Sequence, residues 1–311
     1  MRLRFSGYLA VRHDESSAGG EMDRCCSSVK IATNVDCLVS WRLFMWFVVL
    51  ASLIAAEPQA IEFNAVTPKG TLVVIGGGVT TCEIADKTLE LAGGKTAKVA
   101  IIAEANPENG AGSLAMWRRA EVTHVSVIDL THLDTAKQTL GEANLIWMPG
   151  GLQGVFMNAL EGSGVVEVIR RRYYEGAVVA GTSAGAAVMS KVMIGGRSDL
   201  DSLKAGSAPY LMDGLGLWPE AIVDQHFLQK GRFNRLALAT LDFPNLVGVG
   251  IDEETAAIVR GDTFEVIGDN NVTVIDSRKA SHETLVKGEA AAARNMRVHV
   301  LRAGMKFKMN D

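Results

Sequence analysis

From Lys69 onward the chain alternates short runs that are apolar at every position with stretches whose apolar residues recur at helical spacing. Few architectures accept that pattern. The runs are Leu72–Ile75, Val99–Ala103, Val125–Leu130, Leu145–Met148, Ala177–Ala180 and Ala221–Val223. A strand that is apolar on both faces must be covered on both, as in a parallel sheet. Between the runs, Cys82–Ala92, Gly112–Ala120, Thr135–Ala143, Gly154–Leu160 and Val165–Tyr174 carry an apolar stripe and a polar back. Strand and helix in alternation predict a doubly wound α/β domain with a mostly parallel sheet. After Asn245 the texture changes to Val247–Ile251, Ala256–Val259, Thr263–Ile267 and Val272–Ile275, separated by Arg-Gly-Asp and Gly-Asp-Asn-Asn turns. These predict C-terminal β-hairpins that extend the same sheet.

No repeat or low-complexity linker interrupts residues 69 to 311, so one domain is expected over 57–311. The formal net charge of −4 gives no footprint for nucleic acid. Residues 43 to 56 carry no charge and follow Arg42. Too short to span a bilayer comfortably, the run suits the apolar part of a secretory signal. Small residues at Ala55, Ala56 and Ala60 put cleavage near Ala56. The expectation is a signal peptide over 39–56, a secreted or periplasmic product, and no stable membrane span after cleavage. Residues 1–38 are polar and unperiodic and read as an extension upstream of the true start, which is expected near the apolar run, at Val39 if its codon is an alternative start. Cys25, Cys26 and Cys37 fall in that lead, so Cys82 is alone in the mature chain and no internal disulfide can form. Cys82 sits in a helix-like segment with no histidine nearby in sequence, a poor setting for a nucleophile.

In a doubly wound sheet the residues that follow each strand line the ligand crevice. Here they are Gly76-Gly77-Gly78, Glu104, Pro149–Gln153, Gly181–Gly185 and Asp224-Gln225-His226. The triple glycine lacks the spacing of a dinucleotide fingerprint and reads as a tight strand-to-helix turn. Val-Val-Ala-Gly-Thr-Ser-Ala-Gly-Ala-Ala-Val-Met is more informative: Gly181 and Gly185 bracket Ser183 as in a nucleophile elbow, where a sharp turn projects the hydroxyl out of the sheet. The Ala184 N–H, at the start of the next helix, then faces a developing oxyanion. A serine hydroxyl needs a base. Of His124, His132, His226, His282 and His299, only His226 directly follows an apolar strand. Pro-Gly-Gly-Leu-Gln at 149–153 supplies the other oxyanion donor near Gly151, with Gln153 facing substrate. No metal or organic cofactor is expected.

With Gly-Gly-Leu-Gln, the serine block, Ile-Gly-Gly, Gly-Leu-Gly-Leu-Trp-Pro, Asp-Gln-His-Phe-Leu-Gln-Lys-Gly-Arg-Phe-Asn-Arg-Leu and Gly-Ile-Asp-Glu-Glu-Thr-Ala in this order, the chain resembles the cyanophycinases over roughly Leu72 to Asp276. These are serine peptidases related to aspartyl dipeptidases, with a fold like class I glutamine amidotransferases (flavodoxin-like). They cleave cyanophycin, a poly-aspartate carrying arginine on each β-carboxyl, to β-Asp-Arg dipeptides. The resemblance implies Ser183 as nucleophile, His226 as base, a homodimer, and Gln153, Asp224, Gln225, Arg232 and Arg235 as the lining of the substrate pocket. Asp224 would hold a guanidinium, and Arg232 and Arg235 would clamp a carboxylate. The acid that orients His226 is expected between it and the serine, at Asp201 by spacing or else Asp199, where the family carries glutamate. Leu152 stands where asparagine is common and Lys230 where arginine is frequent. Two alternatives sit beside this reading: an exopeptidase on other aspartyl or isoaspartyl peptides, and a secreted binding protein that keeps the fold without turnover.

Overall fold

A computed structural model describes residues 67–195, 202–204 and 210–310. The upstream extension 1–38 and the signal 39–56 lie outside the described residues. Residues Glu62–Asp311 fall into one compact unit, and no helix among the described residues is long and apolar enough to cross a membrane.

The first five strands are β1 (Thr71–Ile75), β2 (Lys98–Ile101), β3 (His124–Val127), β4 (Leu145–Met148) and β5 (Val178–Thr182). They pair in parallel in the order β1-β5-β4-β2-β3. Side chains alternate across each strand: Leu72 and Val74 enter one core layer, Val73 and Ile75 the other. That explains why these runs are apolar throughout. The exception is β3, at the sheet edge, where three of four residues are exposed. The connecting helices are α1 (Cys82–Leu91), α2 (Pro107–Arg119), α3 (Leu133–Glu142), α4 (Gln153–Leu160), α5 (Val165–Glu175) and the single turn α6 (Ala184–Ala187). The second begins five residues earlier than its apolar stripe predicts, because Asn106 caps it, its Oδ1 accepting from the Glu108 N–H at 3.1 Å, with Pro107 in the first turn.

Beyond α6 come the hairpin β6 (Val192–Gly195) and β7 (Tyr210–Asp213), then β8 (Ala221–Gln225), α7 (Phe233–Asp242), β9 (Val247–Ile251), β10 (Thr255–Arg260), β11 (Thr263–Gly268), β12 (Val272–Asp276), the short pair β13 (Ser281–His282) and β14 (Ala293–Arg294), β15 (Arg297–Leu301) and β16 (Lys306–Lys308). The hairpin β10–β11 extends the main sheet antiparallel beyond β1, as expected, and strand β16, which the sequence pattern did not indicate, pairs beyond it. Contrary to expectation, the runs Ala221–Val223, Val247–Ile251 and Val272–Ile275 do not join the main sheet. Instead β8, β9, β12 and β15 form a second sheet of four strands. Glycine makes this possible: a Cβ at Gly250 would overlap the Phe227 ring, and one at Gly248 would press on Leu236 and Thr240, so β9 accepts the following turn and α7 at close range.

Candidate active site

Strand β5 ends at Thr182 and the chain turns at Ser183 with φ 54° and ψ −113°. A non-glycine residue held so far from the populated regions stores about 1–3 kcal/mol. The flanking glycines make the turn possible, since a Cβ at Gly181 would overlap the Gly185 backbone and one at Gly185 the Met148 carbonyl. The Ser183 N–H donates to the Ile75 carbonyl at 3.0 Å. Its hydroxyl stands 2.8 Å from His226 Nε2 and 3.3 Å from Gln225 Oε1.

His226 leaves β8 with φ 47°, and its N–H donates to the Gly76 carbonyl at 2.6 Å. On the far side of its ring, Nδ1 lies 2.5 Å from Glu253 Oε1. Glu253 follows β9. Its N–H donates to Gln229 Oε1 at 3.1 Å, and its carbonyl accepts from Asn270 Nδ2 at 2.9 Å. The next residue, Glu254, donates its N–H to the Gly77 carbonyl at 3.0 Å. Three consecutive carbonyls, beginning at the last residue of β1, thus hold the backbone of the serine, the histidine and the acidic segment. This accounts for the triple glycine: a Cβ at Gly76 would overlap the Asp252 carbonyl, and one at Gly77, where φ is 118°, the His226 ring. Sequence reasoning placed the orienting acid at Asp201 or Asp199; both lie outside the described residues, and the carboxylate in contact with His226 is Glu253.

Burial lowers the pKa of His226 below its ordinary 6.5, the Glu253 hydrogen bond opposes this, and the nearby Lys230 and Arg232 cations lower it further. The ring is therefore neutral at pH 7. With Nδ1–H donated to the carboxylate, Nε2 carries the lone pair that faces Ser183. His226 can act as a base only in that neutral form, so activity that depends on it is expected to be lost as pH falls through a value below 6.5. Replacing Lys230 with methionine removes one of the lowering charges and should move the acid limb of the kcat/KM profile upward, more at low salt than at high. An acid limb above 7 in the parent enzyme would contradict the arrangement.

Ser183 sits between two clefts. One, of about 650 Å³, is lined by Gln225, Lys230 and Arg232 opposite the apolar Leu152, Val155 and Met212. The other, of about 390 Å³, is lined by Gly77, Thr80, Asn109, Gly150, Thr182 and His226. Gly151 borders both. Ala184 opens a helix of four residues, too short for a substantial macrodipole, so what it offers an oxyanion is its single N–H. Gln153 is buried, donating from Nε2 to the Ile194 carbonyl at 2.8 Å, and so ties the cleft to β6. Arg232 donates to Gln225 Oε1 at 2.8 Å. Among the described residues no group of three or more His, Cys, Asp or Glu side chains gathers as a metal site requires.

Two residues expected to line the substrate pocket border neither cleft. Asp224 and Arg235 are each 1% exposed and face one another, Arg235 Nε donating to Asp224 Oδ2 at 2.7 Å and Nη2 to Oδ1. Alternation along β8 turns Gln225 toward Ser183 and Asp224 away from it. Replacing Asp224 with alanine leaves a buried guanidinium unpaired, which costs about 3–5 kcal/mol. Chemical denaturation should show that loss; a variant of parental stability and impaired substrate binding would restore a substrate role.

Peptidase family S51 matches residues 72–267 of this chain. The cyanophycinase of Nostoc sp. (strain PCC 7120 / SAG 25.82 / UTEX 2576) is 32% identical over 81% of this chain and 90% of its own length. The cyanophycinase of Geminocystis herdmanii (strain PCC 6308) is 34% identical over 77% and 93% respectively. Among solved structures, a peptidase from an acI-B1 Actinobacterium superposes with a TM-score of 0.56 at 19% identity, covering 78% of this chain and 98% of that one, a likeness of fold.

Proposed function

The chain belongs to peptidase family S51, and on that premise we propose that it is a serine exopeptidase that hydrolyses cyanophycin to β-Asp-Arg dipeptides. The observation that carries the reading is the relay Ser183–His226–Glu253, with Oγ to Nε2 at 2.8 Å and Nδ1 to the carboxylate at 2.5 Å. His226 takes the serine proton as Ser183 attacks an aspartyl carbonyl of the polymer backbone. The N–H groups of Gly151 and Ala184 receive the oxyanion. His226 then protonates the departing amine, and water, deprotonated by the same imidazole, releases the acyl group. Glu253 holds the ring tautomer and balances the imidazolium. Lys230 and Arg232 give one cleft the positive charge that suits the substrate's carboxylates.

The test is release of soluble β-Asp-Arg from insoluble cyanophycin by the full chain, beside the same protein treated with a serine-directed phosphonate. Dipeptide from the first and none from the second supports substrate and mechanism together. A second reading, hydrolysis of other aspartyl or isoaspartyl dipeptides, is favoured by Leu152, which is 60% exposed at the cleft, and by the lack of any carboxylate among the described residues lining the cationic cleft. Turnover of such dipeptides without release from the polymer selects it.

Export through the uncharged run 43–56 completes the proposal, since a secreted enzyme reaches polymer freed from other cells. A mature N-terminus near Glu57 in the periplasm or medium supports export; an intact apolar run on cytoplasmic protein overturns it. A homodimer, as the family resemblance implies, would show as twice the chain mass in light scattering.

A further inference from the structure

Asn109 lies in the first turn of α2, beside the loop that follows β4. Its Nδ2 donates to the Gly150 carbonyl at 2.8 Å. The helix does not need this side chain, because Asn106 already caps its first turn. A trans peptide is planar, so its C=O and N–H point to opposite sides and fixing one fixes the other. The Asn109 bond therefore sets the direction of the Gly151 N–H. The surroundings place that peptide at the nucleophile: a Cβ on Gly150 would lie 3.3 Å from Ser183 Cβ and 3.7 Å from its Oγ. On the other side of the peptide, Gly151 has φ 145° and the Leu152 N–H is tied to the Ala105 carbonyl at 3.0 Å. Between two glycines, steric preference does little to stop the peptide from turning over. Among the described residues, the hydrogen bond to the Gly150 carbonyl is the one from Asn109.

We infer that Asn109 is a positioning residue: it holds the Gly150–Gly151 peptide in the orientation that presents the Gly151 N–H to the oxyanion. The inference rests on the reading of Ser183 as nucleophile and Gly151 as an oxyanion donor. It acts only when charge develops on the substrate oxygen, so its loss lowers kcat and spares ground-state binding.

The test compares Asn109→Asp and Asn109→Ala with the parent. Aspartate keeps the shape but presents no donor to the carbonyl, and Asn109→Gln keeps the amide on a longer arm. Two readouts are taken, kcat and KM on a turned-over aspartyl peptide, and the rate of covalent reaction with a diphenyl phosphonate, whose phosphoryl oxygen uses the same hole. For the aspartate and alanine variants, kcat and the phosphonylation rate should fall about 10- to 100-fold, part of the loss of one oxyanion donor. KM and the melting midpoint should hold, and glutamine should recover part of the rate. Parental phosphonylation in Asn109→Asp overturns the inference alone. A fall in kcat accompanied by a matching fall in melting midpoint marks a structural role and overturns it too. A parent inert to phosphonate overturns the nucleophile reading and takes this inference with it.

Discussion

Ser183→Ala should lower kcat by about a millionfold, the scale seen when the nucleophile of a serine hydrolase is removed. The change deletes one oxygen at a partly buried position and leaves the elbow intact, because alanine meets the same backbone at φ 54° as serine did. Substrate binding and melting midpoint are expected to stay near parental values, which separates loss of chemistry from loss of fold. Single-turnover assay on an aspartyl peptide is the measurement. Residual activity of a few per cent would place the nucleophile elsewhere.

Glu253→Gln should cost about 10⁴ in kcat, by the logic that applies when the acid of a serine triad becomes an amide. The glutamine amide can donate to Nδ1, so the ring takes the tautomer with its proton on Nε2, facing Ser183, where no base is then available. The companion variant is Asp201→Asn, the position favoured from sequence spacing. Its kcat is expected to stay within about twofold of parental, because His226 Nδ1 is already engaged by Glu253. If the two results are exchanged, the orienting acid is Asp201, and the contact at 2.5 Å between Nδ1 and Glu253 is incidental.

The contrast between these carboxylates shows what the sequence disclosed. That Ser183 and His226 meet was readable because each stands three residues after an apolar run, Ala177–Ala180 or Ala221–Val223, and the ends of such strands face the crevice. Glu253 obeys the same rule, since it stands two residues after Ile251. The signal went unread because the segment after Asn245 looked like hairpins, and hairpin turns carry no such expectation. Strand β9 in fact pairs in parallel with β8 and antiparallel with β12. Asp224 and Arg235 were expected at the pocket wall and are instead buried against one another. They are polar residues in the right region, but period-two alternation sends Asp224 to the far face of β8, where α7 delivers Arg235. Asn109 left no trace in the pattern, since one amide in a helical first turn is ordinary and its value lies in a carbonyl 41 positions away.

The three carbonyls of Ile75, Gly76 and Gly77 gather chain segments that end at Ser183, His226 and Glu254. No local piece of the polypeptide contains a working site. A fragment spanning the serine and the histidine still lacks the strand that brings them together, and a nascent chain completes the relay only after β9 has been made. The peptidase is consequently silent while it is being built, until synthesis has passed β9. Heat should likewise extinguish activity and the main sheet in a single transition, so that a partly unraveled enzyme is inert and not a promiscuous one.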